Sequence, residues 1–280
     1  MIKIGFIDYY LDEWHANKYP GWIKDEAGDE MEVAYCWGEI DSPKENGLTN
    51  AQWAEKFGVT LCATIEEVVE KSDVLCILSP DNAEKHEEYA KIALTAGKTT
   101  YIDKTFAPDK ATAERIFAIA EKYNTPVMTS SALRFATEYQ ELEKEGIVAA
   151  TSFGGGYPDI YMIHQLEPIV MMFGTDVKRV CNVGSVEVPT FVIEFADGRR
   201  VNVNCYPYGI SFQMVFVYQN KSKFVPVKSE FFLNFIKELV VYFKTGEITI
   251  PHEQTLTVMT LIEHCVKAKN APNTWVEIED

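Results

Sequence analysis

The residues of this 280-residue sequence whose types and spacing could do chemistry fall in four places. Lys104 stands in Asp103-Lys104-Thr105, directly after the short apolar run Thr99 to Ile102. In a crevice its ammonium could donate a proton or a hydrogen bond to a carbonyl or hydroxyl, with partial desolvation easing release of the proton. The plain alternative is a surface lysine paired with Asp103. His164 sits in a helical stretch among Met162, Ile163, Leu166 and Met171. An imidazole there either takes a proton from a hydroxyl near neutral pH or packs as a core side chain. The most distinctive stretch is Asp8-Tyr9-Tyr10-Leu11-Asp12-Glu13-Trp14-His15. Asp8, Asp12 and His15 could together bind a polyhydroxylated substrate or a divalent cation. Alternatively, Asp12 caps a helix while Trp14 packs. Arg134 could meet a carboxylate or phosphate, or pair with Glu138 one helical turn on. His86, His252 and His264 read as structural.

The elements that must position these groups are legible in the hydrophobic periods. Val74 to Leu78 is an apolar run of strand length, stopped by Ser79, Pro80, Asp81 and Asn82. Ala83, Tyr89, Ala90, Ala93 and Leu94 then recur at helical spacing up to Gly97, and Thr99 to Ile102 predicts the next strand. Strand, helix and strand in about 30 residues form a crossover unit, so the two strands lie parallel and ligands are expected off their C-terminal ends. Those ends carry Ser79, Pro80, Asn82, Asp103 and Lys104.

Strands at Ile2 to Ile7 and Glu32 to Cys36, and a helix at Lys110 to Tyr123, extend the alternation to Val127–Thr129, and an amphipathic helix is predicted from Leu133–Phe135 to Gly146. From Ile147 onward hairpin signals dominate. The clearest is Ala196-Asp197-Gly198 between two alternating strands, and a second surrounds Gln219-Asn220-Lys221. Helices are expected at about Ile160 to Phe173, Ser229 to Lys244 and Thr255 to Ala268. The predicted fold is α/β, a Rossmann-like doubly wound parallel sheet over residues 1–129, followed by an α+β domain with a mainly antiparallel sheet over 130–280.

A formal net charge of -16 argues against nucleic acid and anionic membrane surfaces as partners. The six cysteines show no paired spacing and mostly sit in apolar runs, which suits reduced thiols in a cytoplasmic protein. No signal peptide and no membrane-spanning run is predicted.

Leu78-Ser-Pro-Asp-Asn-Ala-Glu-Lys-His86, Ala96-Gly97-Lys98 and Asp103-Lys104-Thr105 together resemble the dinucleotide-binding half of the glucose-fructose oxidoreductase and inositol dehydrogenase family, Gfo/Idh/MocA. Gly154-Gly155-Gly156 followed by His164, and Gly246-Glu247 to Trp275-Val276-Glu277, resemble its second half. The resemblance implies NAD or NADP as cofactor and a sugar, polyol or related small molecule as substrate. It sets Lys104 beside the nicotinamide and makes His164 a catalytic histidine. The family's orienting aspartate falls beside Asp159, and Glu167 matches an acidic position. Asp8, Trp37, Ser79, Pro80, Asn82 and Asp103 are expected along the cofactor, and His15, Arg134 and Glu167 at the substrate. Such second halves commonly pair, so a homodimer or homotetramer is expected.

The family's glycine-rich phosphate loop is replaced here by Asp8 to His15, whose rings and acids are expected to hinder a pyrophosphate. The acid expected after the second strand is displaced: Trp37 and Gly38 follow the strand, with Glu39 and Asp41 beyond. A dehydrogenase-like module that has lost dinucleotide binding is therefore the rival expectation, and a tightly retained cofactor held by altered contacts is a third.

Overall fold

Short apolar strands alternate with capped helices through the first 130 residues of the computed structural model, which describes residues 1–207 and 209–279. Strand β1 (Ile2–Asp8) is followed by α1 (Trp14–Ala27), β2 (Met31–Gly38), α2 (Asn50–Phe57), β3 (Thr60–Leu61), α3 (Ile65–Lys71), β4 (Val74–Ile77), α4 (His86–Ala93), β5 (Thr100–Ile102), α5 (Lys110–Tyr123) and β6 (Val127–Met128). Local chemistry fixes the helix ends. Thr49 and Gln52 form a capping box at the start of α2, Thr64 caps α3 and Asp109 caps α5. The sheet runs β3-β2-β1-β4-β5-β6 with every pair parallel. The order reverses between β1 and β4, so a crevice opens beyond the carboxyl ends of those strands.

Burial follows from this layering. Ile4, Phe6, Ile7 and all of β4 are buried, as a parallel sheet covered on both faces requires. His86 is buried with its ring spanning Leu78 O at 2.6 Å and Phe106 O at 3.0 Å, so it ties the end of β4 to the segment after β5.

The chain divides into two compact units, residues 1–130 with 235–250 and residues 131–234 with 251–280. Helix α9 (Phe231–Thr245), which follows the later strands in sequence, thus gives most of its length to the first unit. There Phe235 packs on Tyr19 and Tyr101, and Tyr242 Oη donates to Thr100 O at 3.0 Å.

In the second unit, α6 (Thr137–Gln140) precedes β7 (Ile147–Gly155), α7 (Pro158–Tyr161), α8 (Ile163–Phe173), β8 (Val177–Asn182), β9 (Thr190–Phe195), β10 (Arg200–Tyr206), β11 (Gln213–Tyr218) and β12 (Ser222–Pro226); α10 (His252–Lys269) and β13 (Trp275–Glu277) complete it. The sheet order is β12-β11-β7-β10-β9-β8-β13. All pairs are antiparallel except β7 with β10. Both predicted hairpins form, as β9–β10 and β11–β12.

The single amphipathic helix predicted from Leu133–Phe135 to Gly146 does not form. A 3-10 turn at Ala132–Phe135 and the four-residue α6 take its place, because Glu138 turns to bind the amides of Lys228 and Ser229. The helix expected from Ile160 is two helices, α7 and α8. All six cysteines are free and buried, and no helix among the described residues is long and apolar enough to cross a membrane.

Candidate functional site

Asp8, the last residue of β1, is buried at 1% exposure. Its Oδ1 accepts from Tyr9 N at 2.7 Å, Ser79 N at 3.0 Å and Ser79 Oγ at 3.3 Å, while Oδ2 has no hydrogen-bond partner among the described residues. Ser79 reaches it from a left-handed backbone, φ +53°, just past β4. Burial outweighs these hydrogen bonds and pushes the Asp8 carboxyl up to about 8.

Glu13 caps α1: its carboxyl accepts from His15 N at 2.7 Å and from Ala16 N. Burial, with Asp8 nearby, pushes Glu13 up to about 8 as well. Both acids are therefore mainly protonated near neutral pH, which corrects the expectation that they repel an incoming anion. The expected helix-capping role of Asp12 belongs to Glu13 instead. Asp12 turns to Leu48 N and Asn17 Nδ2, both at 3.0 Å, so Asp8, Asp12 and His15 are not joined. No group among the described residues is arranged to hold a metal ion.

The stability consequence follows from the raised pKa values. Between about pH 4 and pH 8 the unfolded chain has released the Asp8 proton and the folded chain keeps it. Stability contributed by the protonated form is thus full below pH 4 and lost as pH rises to 8. Asp8→Asn is expected to flatten the decline in melting temperature across that range. An unchanged slope in a pH series of thermal melts would contradict the burial assignment.

Asp103 follows β5 and is buried at 1% exposure. Its Oδ2 lies 2.6 Å from His15 Nδ1, and its Oδ1 accepts from Tyr101 Oη at 2.8 Å. The His15 ring stacks on Tyr19 at 5.2 Å and meets Trp14 edge-on at 5.2 Å. Burial opposes charge on both partners. Their mutual attraction and shared hydrogen bond outweigh it, raising His15 and lowering Asp103. Each partner is thus shifted toward its charged form. Lys104, next in the chain and 9% exposed, donates from Nζ to Pro80 O at 3.1 Å rather than to Asp103.

Past β2 the same sheet edge carries a groove of about 380 Å³, with Trp37, Ile65, Tyr89 and Ile92 in its walls. Glu39 lines it too, accepting from Tyr89 Oη and Lys85 Nζ, each at 2.6 Å. Gly38 is required at this strand end, because a Cβ there would lie 2.5 Å from the Asn50 side chain. That amide donates to Gly38 O and Ile40 O and accepts from Leu11 N. Asn82 is half-exposed at the end of the turn after β4, with Nδ2 on Glu84.

In the second unit His164 is half-buried in α8, its Nδ1 2.7 Å from Ser131 Oγ and its ring against Tyr161 and Phe212. Asp159 is exposed on α7, so Ser131 rather than Asp159 orients Nδ1 of the imidazole. Arg134 does not pair with Glu138. Its Nη1 donates to Glu167 Oε2 at 2.9 Å and its Nη2 to Gln254 Oε1, with both charged groups buried.

Glu13, Tyr101 and Ser131 are not among the site residues expected from the sequence, and Glu39 appears there only as one of two displaced acids. Two had a readable signal: Glu13 stands at capping distance before His15 and Ala16, and Tyr101 is two residues from Asp103, on one face of a strand.

Residues 38–131 match an oxidoreductase family with an NAD-binding Rossmann fold. This segment is similar to the NAD-binding half of Gfo/Idh/MocA oxidoreductases. The match begins at Gly38, beyond the altered first loop. The uncharacterized oxidoreductase YhhX of Escherichia coli is 37% identical over 107 residues, 38% of this chain and 29% of that protein, so the shared stretch is under a third of the relative's length. Across the whole chain the fold is that of Gfo/Idh/MocA dehydrogenases. Myo-inositol 2-dehydrogenase of Lactobacillus plantarum superposes with a TM-score of 0.80 at 13% identity, covering 99% of each chain. GenD2 from gentamicin A biosynthesis, solved in complex with NAD, gives 0.78 at 13% identity and covers 100% of this chain and 97% of its own.

The family implies a nicotinamide dinucleotide, and the residues present can be tested against its parts. The groove beside Trp37 and Glu39 suits an adenosine: apolar walls for a base, and a carboxylate at the end of β2 for ribose hydroxyls. The start of α1 offers no glycine cradle, because Glu13 already occupies the amides of His15 and Ala16. A diphosphate would have to be held by other groups.

Proposed function

We propose that the protein is an NAD(P)-dependent oxidoreductase acting on a hydroxyl or carbonyl of a sugar, polyol or related small molecule. The supporting observation is a buried lysine, Lys104, directly after the His15-bound Asp103 at the carboxyl end of β5, in a parallel sheet whose β2 ends beside a groove of about 380 Å³. Trp37, Ile65 and Ile92 would hold the adenine and Glu39 the ribose hydroxyls. Ser79, Pro80 and Asn82 would line the path toward Lys104, with Asp8 beneath as a neutral acid. Bound there, the cofactor would supply or accept a hydride. Lys104 would hydrogen-bond the reacting oxygen, drawing electron density from the carbonyl carbon. His164 is the proposed ligand-facing group of the second unit. Arg134 and Glu167 bind each other and are assigned to its packing.

A carboxylate at the ribose end disfavours a 2′-phosphate, so NAD is preferred over NADP. Removing the aromatic wall with Trp37→Ala should weaken NADH binding by at least tenfold, and Glu39→Gln should narrow the preference for NADH over NADPH. Both are read by quenching of intrinsic fluorescence on titration, and unchanged affinities would remove the groove from the cofactor site.

The occupied start of α1 favours a second reading, a ligand-binding module without redox activity. A thermal-shift screen separates the two: an oxidoreductase is stabilised by NAD(H), a module only by polyols. The reduced, buried thiols support a cytoplasmic location. Phe224 and Val217 are exposed on β12 and β11, which supports pairing of this sheet in a homodimer or homotetramer, to be checked by light scattering.

A further inference from the structure

The groove at the end of β2 is edged by a cation as well as by an acid. Lys85, directly before α4, places its Nζ 2.6 Å from Glu39 Oε1 and 3.4 Å from Glu88 Oε2. Glu39 and Glu88 both line the groove, so the ammonium stands one hydrogen bond behind two of its walls. It also lies 5.3 Å from the centre of the Tyr9 ring, which ties it to the first loop. Glu39 is held from three further sides. Tyr89 Oη donates to its Oε2 at 2.6 Å, its own amide donates to Asp8 O at 3.1 Å, and the next amide, of Ile40, donates to Tyr9 O at 2.9 Å. Burial opposes charge on Glu39, but the hydrogen bonds from Lys85 and Tyr89 outweigh it and hold the carboxyl below the ordinary glutamate range.

We propose that Lys85 is a selectivity residue for the 2′ position of the adenosine ribose, where it tempers the rejection of a 2′-phosphate by Glu39. This rests on the oxidoreductase reading, in which Glu39 holds the ribose hydroxyls. A hydroxyl donating to Glu39 would lie about 2.8 Å from a carboxylate oxygen, and the ammonium is bonded to that same carboxylate. A phosphate replacing the hydroxyl would therefore meet both charges at short range, repelled by the nearer Glu39 and attracted by Lys85 just beyond it. The pair carries no net charge, so hydroxyls are preferred by a modest margin. Removing the lysine leaves the carboxylate alone and sharpens the preference. Removing the carboxylate leaves the ammonium, with only the exposed Glu88 beside it, and favours the phosphate.

The test is calorimetric titration of the full chain with NADH and with NADPH, which differ only in the 2′-phosphate. The wild type should prefer NADH by less than about a hundredfold. Lys85→Met should weaken NADPH by at least about fivefold and leave NADH within twofold, and Lys85→Gln should act in the same direction. Glu39→Gln should strengthen NADPH, and the double variant Glu39→Gln/Lys85→Met should lose that gain. The gain should also shrink between 0.05 and 0.5 M salt, because it is a charge effect at a partly exposed site. Lys85 variants that change both dinucleotides equally, or neither, overturn the proposal and leave the oxidoreductase reading intact. So does a gain from Glu39→Gln that survives loss of the lysine, or a wild type that binds NADH with no measurable NADPH binding. A wild type that binds neither dinucleotide overturns the oxidoreductase reading and the proposal with it.

Discussion

Lys104→Met is expected to lower turnover by about 10² to 10⁴-fold, the usual contribution of a positioned proton or hydrogen-bond donor, while NADH affinity changes by no more than a few-fold. The side chain is nearly isosteric, and the hydrogen bond lost to Pro80 O should reduce stability by only about 1 kcal/mol, so the variant should fold. Lys104→Arg should not rescue the rate, because a planar guanidinium cannot take the place of a compact ammonium. Steady-state kinetics and fluorescence titration on the two variants decide the matter. A methionine variant within tenfold of wild type would strip Lys104 of its role.

The second large effect concerns stability. Arg134 and Glu167 are buried in the second unit at 6% and 3% exposure and joined at 2.9 Å. Glu167 also accepts from Ser131 N at 3.4 Å, next to the Ser131 hydroxyl that meets His164. Removing the arginine leaves a buried carboxylate without its counter-charge, which should cost about 3–5 kcal/mol. Arg134→Met should therefore lower the melting temperature by on the order of ten degrees. The double variant Arg134→Met/Glu167→Leu should recover much of the loss, since a pair of apolar side chains needs no counter-charge. A double variant as unstable as the sum of both singles would show that the ion pair is not the source of the effect.

How much of this was legible in the sequence depends on the range of the interactions. The crossover from Val74 to Ile102 reads directly from its periods, because burial on both faces demands a continuous apolar run and the caps are local. The hairpin at Asp197-Gly198 reads for the same reason. Residues 133–146 do not, because Glu138 binds backbone amides some ninety residues away and no local pattern encodes that partner. The site divides similarly. Lys104 is placed by the strand before it, whereas the contact of His15 with Asp103 spans 88 residues and exists only once β1 and β5 lie in one sheet. Charge is the least legible property. Asp8 and Glu13 look like anions in the sequence, and burial makes them neutral.

The central claim is that a nicotinamide dinucleotide binds this Rossmann unit although Glu13 occupies the amides at the start of α1. Titration of the wild-type protein with NADH, followed by calorimetry at pH 7, measures it directly. Saturable one-site binding at micromolar to sub-millimolar concentration, weakened by Trp37→Ala, is the predicted result. No heat and no saturation at millimolar NADH would contradict it.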